Sequence, residues 1–155
     1  MIRHLAIKKL QEKGLTIAIA ESCTGGLIGA AITSVSGAST CFGYGLVTYS
    51  NEAKHKLLGV PWEILMEFGA VSHQTAKQMS KGIRKLANSD IGLSVTGIAG
   101  PSGGTKSKPV GLVYIALDKR DFCVSHKFFF HGDREKIRKH STEQAIKMII
   151  QYGVN

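Results

Sequence analysis

The sequence predicts a single α/β domain with a mixed β-sheet and helices on both faces. Three observations carry this expectation. Short apolar runs of strand length alternate with stretches of helical spacing along the whole chain. Two strand-like segments, about 110–118 and 122–130, flank Asp118-Lys119-Arg120-Asp121, which reads as a hairpin turn. Hairpin strands must be antiparallel, so the sheet cannot be wholly parallel. Finally, 155 residues with 43% hydrophobic content suit one substantial core, and no linker or internal repeat divides residues 1–155.

The elements follow in order. Ile2, Leu5, Ala6 and Leu10 recur at helical spacing among Arg3, Lys8, Lys9 and Lys13, giving a helix over 1–13 that stops at Gly14. A strand is expected at about 15–20 and a helix at about 24–34. Ser36-Gly37-Ala38-Ser39 turns the chain into a strand at about 44–50. Ser50 or Asn51 caps a short helix, about 51–58, that ends at Gly59, and Pro61 opens another helical piece. Ser72 caps a helix from His73 to about Asn88. A buried strand at 91–96, a Gly/Ser/Lys-rich loop at 97–109 and the hairpin come next. The last helix starts near Asp133, with Ile137, Ser141, Ala145, Met148, Ile149 and Tyr152 on its inner face.

Composition excludes several classes. No apolar run approaches the roughly 20 residues of a spanning helix, and the N-terminal stretch lacks a signal peptide's continuous apolar centre. Cys23, Cys41 and Cys123 are scattered and odd in number, which points to a reducing cytoplasm rather than a disulfide framework. The six histidines show no paired metal-ligand spacing, so no metal site is expected. The formal charge of +9 lies along helices without interleaved aromatics, which reads as solvated faces. Neither a specific nucleic acid nor a membrane is the expected partner. A phosphorylated small molecule needs only a few of these cations.

Three stretches carry chemistry. Ala20-Glu21-Ser22-Cys23-Thr24-Gly25-Gly26 leaves a strand and enters a helix. It sets two hydroxyls and a thiol beside glycines, where helix N–H groups point outward. The same residue types also make ordinary caps. Leu46 to Lys54 runs from a strand into a helix, with Val47 and Tyr49 on one face of the strand and Thr48 on the other. Lys54 falls in the first helical turn, where the dipole disfavours a cation and helps a lysine shed its proton. It equally reads as a solvated lysine beside His55 and Lys56. Ser94 to Gly104 leaves a buried strand for a glycine-rich loop of the kind that binds ligands or merely flexes.

Together with Gly69-Ala70-Val71-Ser72, Lys108-Pro109-Val110-Gly111 and Gly132-Asp133-Arg134, these stretches resemble the CinA C-terminal domain family from about Leu5 to Tyr152. That family includes bacterial nicotinamide mononucleotide deamidases. It occurs alone or behind a larger N-terminal domain; this chain reads as the domain alone. The resemblance implies hydrolysis of the substrate's carboxamide without metal or organic cofactor. It implies Ser22 as nucleophile, activated by Lys54 with Tyr49. Serine needs such a base, and no histidine lies in the matching stretches. N–H groups at Thr24-Gly25-Gly26 or Thr96-Gly97 would hold the oxyanion, and Glu21 would bind substrate and orient the site, or simply bond backbone N–H groups. Arg134, with Arg138 as a weaker candidate, would bind the phosphate. The family's members are commonly homo-oligomers, at least dimers.

Alternatives stay open at this level. Cys23 is a rival nucleophile, since a helix N-terminus activates a thiol readily. Tyr49-Ser50-Asn51 is similar to an element of penicillin-interacting serine enzymes, but Cys-Thr-Gly after Ser22 excludes their Ser-x-x-Lys element. The competing function is a non-catalytic nucleotide-binding or competence-associated interaction domain.

Overall fold

The computed structural model describes residues 1–155. Helix α1 is Ile2–Glu12, strand β1 is Ile17–Glu21, α2 is Leu27–Thr33 and β2 is Phe42–Val47. Three helices follow, α3 (Asn51–Leu58), α4 (Trp62–Phe68) and α5 (His73–Ala87). Strands β3 (Ile91–Gly97), β4 (Leu112–Lys119) and β5 (Phe122–Phe129) precede α6 (Arg134–Met148), which runs on into a π-helical turn, Ile149–Gly153.

The five strands form one mixed sheet in the order β2-β1-β3-β4-β5. β1 runs parallel to β2 and β3, and β3, β4 and β5 are successively antiparallel. The period of two sorts side chains by size. Ile17 and Ile19 of β1, Ile91, Leu93 and Val95 of β3, and Val113, Ile115 and Leu117 of β4 share the larger core with α1, α2 and α6. Small residues face α3–α5 instead. Ala18 and Ala20 pack against Leu58, Leu65, Met79 and Ile83. At Gly92 a Cβ would lie 2.0 Å from the Ser80 carbonyl oxygen, so α5 sits directly on the strand backbone.

Several caps are those expected. Ser50, Ser72 and Asp133 each accept an N–H from the first turn of α3, α5 and α6. Three boundaries differ for identifiable reasons. α2 begins at Leu27 rather than about 24, because Gly25 and Gly26 adopt φ of 58° and 103°. β2 ends at Val47 rather than 50, and the Thr48 N–H then bonds the Glu21 carbonyl. The hairpin turn is only Arg120-Asp121: Asp118 and Lys119 belong to β4, and Asp118 is buried and paired with Arg84 at 2.5 Å.

Strand β1 fixes where a site can form. The chain leaves it through α2 toward β2 on one side, and returns through α3–α5 to β3 on the other. The crevice at the C-terminal end of such a strand is open to ligands. Ser22 is the first residue beyond that end, and its N–H bonds the Val95 carbonyl of β3.

Candidate active site

Lys54 is the fourth residue of α3, and helical side chains lean toward the N-terminus. Its butyl chain therefore reaches back under the β2–α3 connection and is 1% exposed. Nζ donates to the Thr48 carbonyl at 2.7 Å and to Ser22 Oγ at 3.0 Å. No carboxylate pairs with it. Burial lowers its pKa from 10.5 to about 8. A lysine so held is the opposite of a solvated one.

The turn after Ser22 is built by internal bonds. The Glu21 carboxylate accepts from Thr24 Oγ1 at 2.5 Å and from the N–H groups of Gly26, Ile28 and Gly29 at 3.0, 3.1 and 2.8 Å. It thus occupies the N-terminus of α2 that an external anion would otherwise take. This corrects two expectations. Glu21 and Gly26 face each other, and the Gly25 N–H bonds the Ser22 carbonyl, so neither glycine amide offers itself to a ligand. The amides of Cys23 and Thr24 make no hydrogen bond within the protein. On the opposite edge of these peptides, Arg138 Nε and Nη2 donate to the carbonyls of Cys23 and Thr24 at 3.1 and 3.0 Å. Because N–H and C=O are trans across a peptide, the clamp on the Cys23 carbonyl turns the Thr24 N–H away from α6.

Cys23 is buried, and burial pushes its thiol up to about 12. It keeps its proton at neutral pH, which removes its advantage as a nucleophile.

Thr96 and Gly97 lie apart from this role. Thr96 is 1% exposed and donates through Oγ1 to the Ala70 carbonyl at 2.8 Å. A Cβ at Gly97 would stand 2.6 Å from Val113 Cγ2 and 2.8 Å from the Leu112 carbonyl oxygen. This glycine is kept small by the adjacent β4. The Gly69-to-Ser72 segment is likewise structural: Ser72 Oγ and Thr75 Oγ1 donate to the Gly69 carbonyl, and Lys108 Nζ donates to the Phe68 carbonyl. Lys108 thereby ties the glycine-rich loop to the end of α4.

Tyr49 corrects the expectation of a tyrosine beside the lysine. It is 61% exposed, and its hydroxyl accepts from Arg134 Nη2 at 3.0 Å. Arg134 Nη1 donates to the Gly100 carbonyl at 2.8 Å. Arg134 therefore joins the β2–α3 connection to the glycine-rich loop, and makes no ion pair with Asp133 or Glu135. The Tyr49→Phe variant is expected to keep kcat within about threefold of wild type, because the bond lost is to Arg134 at the exposed rim and none links the phenol to Ser22 or Lys54. A hundredfold drop in kcat would return the phenol to the proton-transfer path.

The chain that builds this turn has relatives of known family. The model of the CinA C-terminal domain matches residues 1–152. The chain belongs to the CinA C-terminal domain family. The CinA-like proteins of Geobacter sulfurreducens and Citrifermentans bemidjiense are 57% identical over 128 residues and 52% identical over 143 residues. These matches cover 83% and 92% of this chain but only 31% and 34% of the relatives' own lengths. The crystal structure of the competence/damage inducible protein CihA from Agrobacterium tumefaciens matches with a TM-score of 0.93 at 42% identity, covering 97% of this chain and 94% of that one. A CinA superfamily protein from Klebsiella pneumoniae matches at 0.92 and 32%, covering 97% of both.

For this CinA domain, sequence reasoning missed two features. Arg138 was weighed only for phosphate, whereas it holds the turn after Ser22. Its spacing of four from Arg134 places both on one face of α6, which was the available signal. The Thr48 carbonyl, which anchors Lys54, leaves no mark in a sequence. Thr48 Oγ1 is itself buried without a hydrogen-bond partner.

Proposed function

We propose that this domain is an amidohydrolase that converts nicotinamide mononucleotide to nicotinate mononucleotide and ammonia, as part of pyridine nucleotide recycling. The observation that carries the reading is the contact between Lys54 Nζ and Ser22 Oγ, with the lysine buried and free of any carboxylate. The choice of substrate rests on the resemblance of the motifs; the relatives' names speak only of competence and damage. Three free cysteines and the lack of any helix long and apolar enough to cross a membrane are compatible with a cytoplasmic place of work.

In this reading neutral Lys54 takes the Ser22 proton as Oγ attacks the carboxamide carbon. The Thr48 carbonyl holds one N–H of the amine, so the lone pair is aimed at the serine. The N–H groups of Cys23 and Thr24 receive the developing oxyanion. The protonated lysine then gives its proton to the departing nitrogen, and ammonia leaves an acyl ester on Ser22. Water, deprotonated by the same lysine, cleaves that ester, releases the carboxylate and restores Oγ–H. Every proton is shuttled by Lys54, and no cofactor enters.

Purified protein incubated with nicotinamide mononucleotide should release ammonia in step with nicotinate mononucleotide. Failure to release ammonia from this or any related pyridine carboxamide would overturn the reading.

Arg134 sits at the exposed rim, with N–H groups beyond the two engaged at Gly100 and Tyr49. In the Arg134→Ala variant, KM for the mononucleotide should rise about tenfold or more, as expected for a lost charged hydrogen bond. KM for the riboside should barely move, and kcat should change less than KM. Unchanged preference for the mononucleotide removes Arg134 from the phosphate site.

A further inference from the structure

Thr48 Oγ1 is one of two buried side-chain polar atoms that make no hydrogen bond in the protein, the other being His126 Nε2. Thr48 is 0% exposed. Such a hydroxyl is destabilising, because it has given up water and gained no partner. Valine has nearly the same shape without that cost, so the threonine calls for an explanation.

Its place supplies one. Ala20 stands opposite Leu46 in the β1–β2 ladder, and the Thr48 N–H to the Glu21 carbonyl carries that ladder one step on. By the period of two, Ser22 and Thr48 are then neighbours on the face where Ala18, Ala20 and Leu46 pack against α3–α5. Lys54 reaches the same face from α3, and Nζ donates to the carbonyl of Thr48 itself. The amine has a donor to match the orphaned hydroxyl. A neutral lysine carries two N–H groups and a lone pair, whereas the ammonium carries three N–H groups. Nζ has two partners, the Thr48 carbonyl and Ser22 Oγ. When the serine proton moves to Nζ, the third N–H has no acceptor between them. Thr96, which continues β3 on the other side of Ser22, is already held by the Ala70 carbonyl.

We infer that Thr48 is a positioning residue for Lys54: its hydroxyl, turned about χ1, accepts the third N–H of the ammonium that forms as Ser22 attacks. One proton passes from Oγ to Nζ, and Thr48 keeps its own. The inference rests on the Ser22–Lys54 pair proposed above, but not on which amide is cleaved. Few charges compete with this contact. Besides burial, only Cys23 acts on Lys54, and that thiol stays protonated. The Glu21 carboxylate is spent on the amides of α2, Arg138 on the Cys23 and Thr24 carbonyls, and His55 on the Val60 carbonyl. On this face α4 and α5 contribute Leu65, Met79 and Ile83.

Thr48→Val, read by the rate at which a fluorophosphonate labels Ser22 from pH 6 to 10, tests the inference. The lost acceptor served the ammonium both in the resting enzyme at low pH and in the transition state. On the acidic limb the two losses cancel, so the variant should match wild type. On the alkaline side the resting lysine is neutral and only the transition state loses. The plateau should therefore be about tenfold lower, the low end for a hydrogen bond to a charged group, and begin about one pH unit earlier. Thr48→Ser should restore the wild-type profile. At pH 9 Thr48→Val should melt no lower than wild type, since an unpartnered hydroxyl has been removed. An unaltered profile overturns the inference. So does a rate lowered equally at every pH, which marks a packing defect, or a serine variant as impaired as the valine. If the labelling pattern holds but nicotinamide mononucleotide releases no ammonia, the choice of substrate fails and this inference stands. A wild type that the reagent does not label overturns the Ser22–Lys54 pair and the inference together.

Discussion

Lys54→Met is expected to give a protein that is inactive and more stable than wild type at pH 7. Activity is lost because no other base reaches Ser22 Oγ; the only side chain bonded to it is Lys54. The gain in stability follows from the sign of the shift. The lysine's pKa is about 8 when folded and near the ordinary 10.5 when unfolded. Between those values the unfolded chain binds more protons, so stability rises with pH across that interval. Below pH 8 both states are protonated and the full cost of burying the charge is present, about 3 kcal/mol. Methionine fills a similar volume without charge. It also leaves the Thr48 carbonyl short of a donor, which returns about 1 kcal/mol. The net gain of about 2 kcal/mol should raise the melting temperature by several degrees. Lys54→Arg should not rescue activity, since guanidinium stays charged and cannot act as a base. The same titration governs wild-type turnover: kcat/KM should climb about tenfold per pH unit below pH 8 and level off above it. A pH-independent rate, or a Lys54→Met protein that melts well below wild type, would contradict the role of a strained, neutral base.

Ser22→Ala is expected to remove turnover by at least about a thousandfold, because the covalent route is closed rather than weakened. The fold should be untouched. The hydroxyl makes only the contact to Lys54, and the turn is held by Glu21 and Arg138 through backbone groups. Substrate should still bind with near wild-type affinity by calorimetry. Cys23→Ala should retain most activity, because that thiol is protonated and packs in the larger core. Loss of turnover in Cys23→Ala with survival in Ser22→Ala would reverse the assignment.

What the sequence revealed of this site divides by the range of the interactions. Local features were legible. The strand-to-helix turn at Ser22, the Ser50 cap and the position of Lys54 in the first turn follow from residues a few places apart. The alternation through Val47, Thr48 and Tyr49 correctly separates the buried threonine from its neighbours. It does not say what the outward tyrosine meets, which is Arg134, 85 residues away. Arg138 reaches Cys23 across 115 residues, because α6 packs beside α2. The spacing of four puts Arg138 on the same face of α6 as Arg134, but nothing near either residue names Cys23 as its partner. Gly97 misled for a related reason. A glycine at the start of a flexible-looking loop proved to be the last residue of β3, kept small by the adjacent β4. Glu21 was read as orienting the site or simply bonding backbone N–H groups, and its carboxylate does the latter, as the internal anion that closes the helix end.

Labelling with a small alkyl fluorophosphonate, followed by peptide mass spectrometry across pH 6 to 10, tests the activation of Ser22 by Lys54 most directly. The reagent reports an activated serine whatever the natural substrate. The dyad predicts one phosphonyl adduct, on Ser22, formed at a rate that rises with pH to a plateau above about 8. The adduct should be absent in both Ser22→Ala and Lys54→Met. An unlabelled protein, an adduct on Cys23, or labelling of Ser22 that persists in Lys54→Met would contradict it.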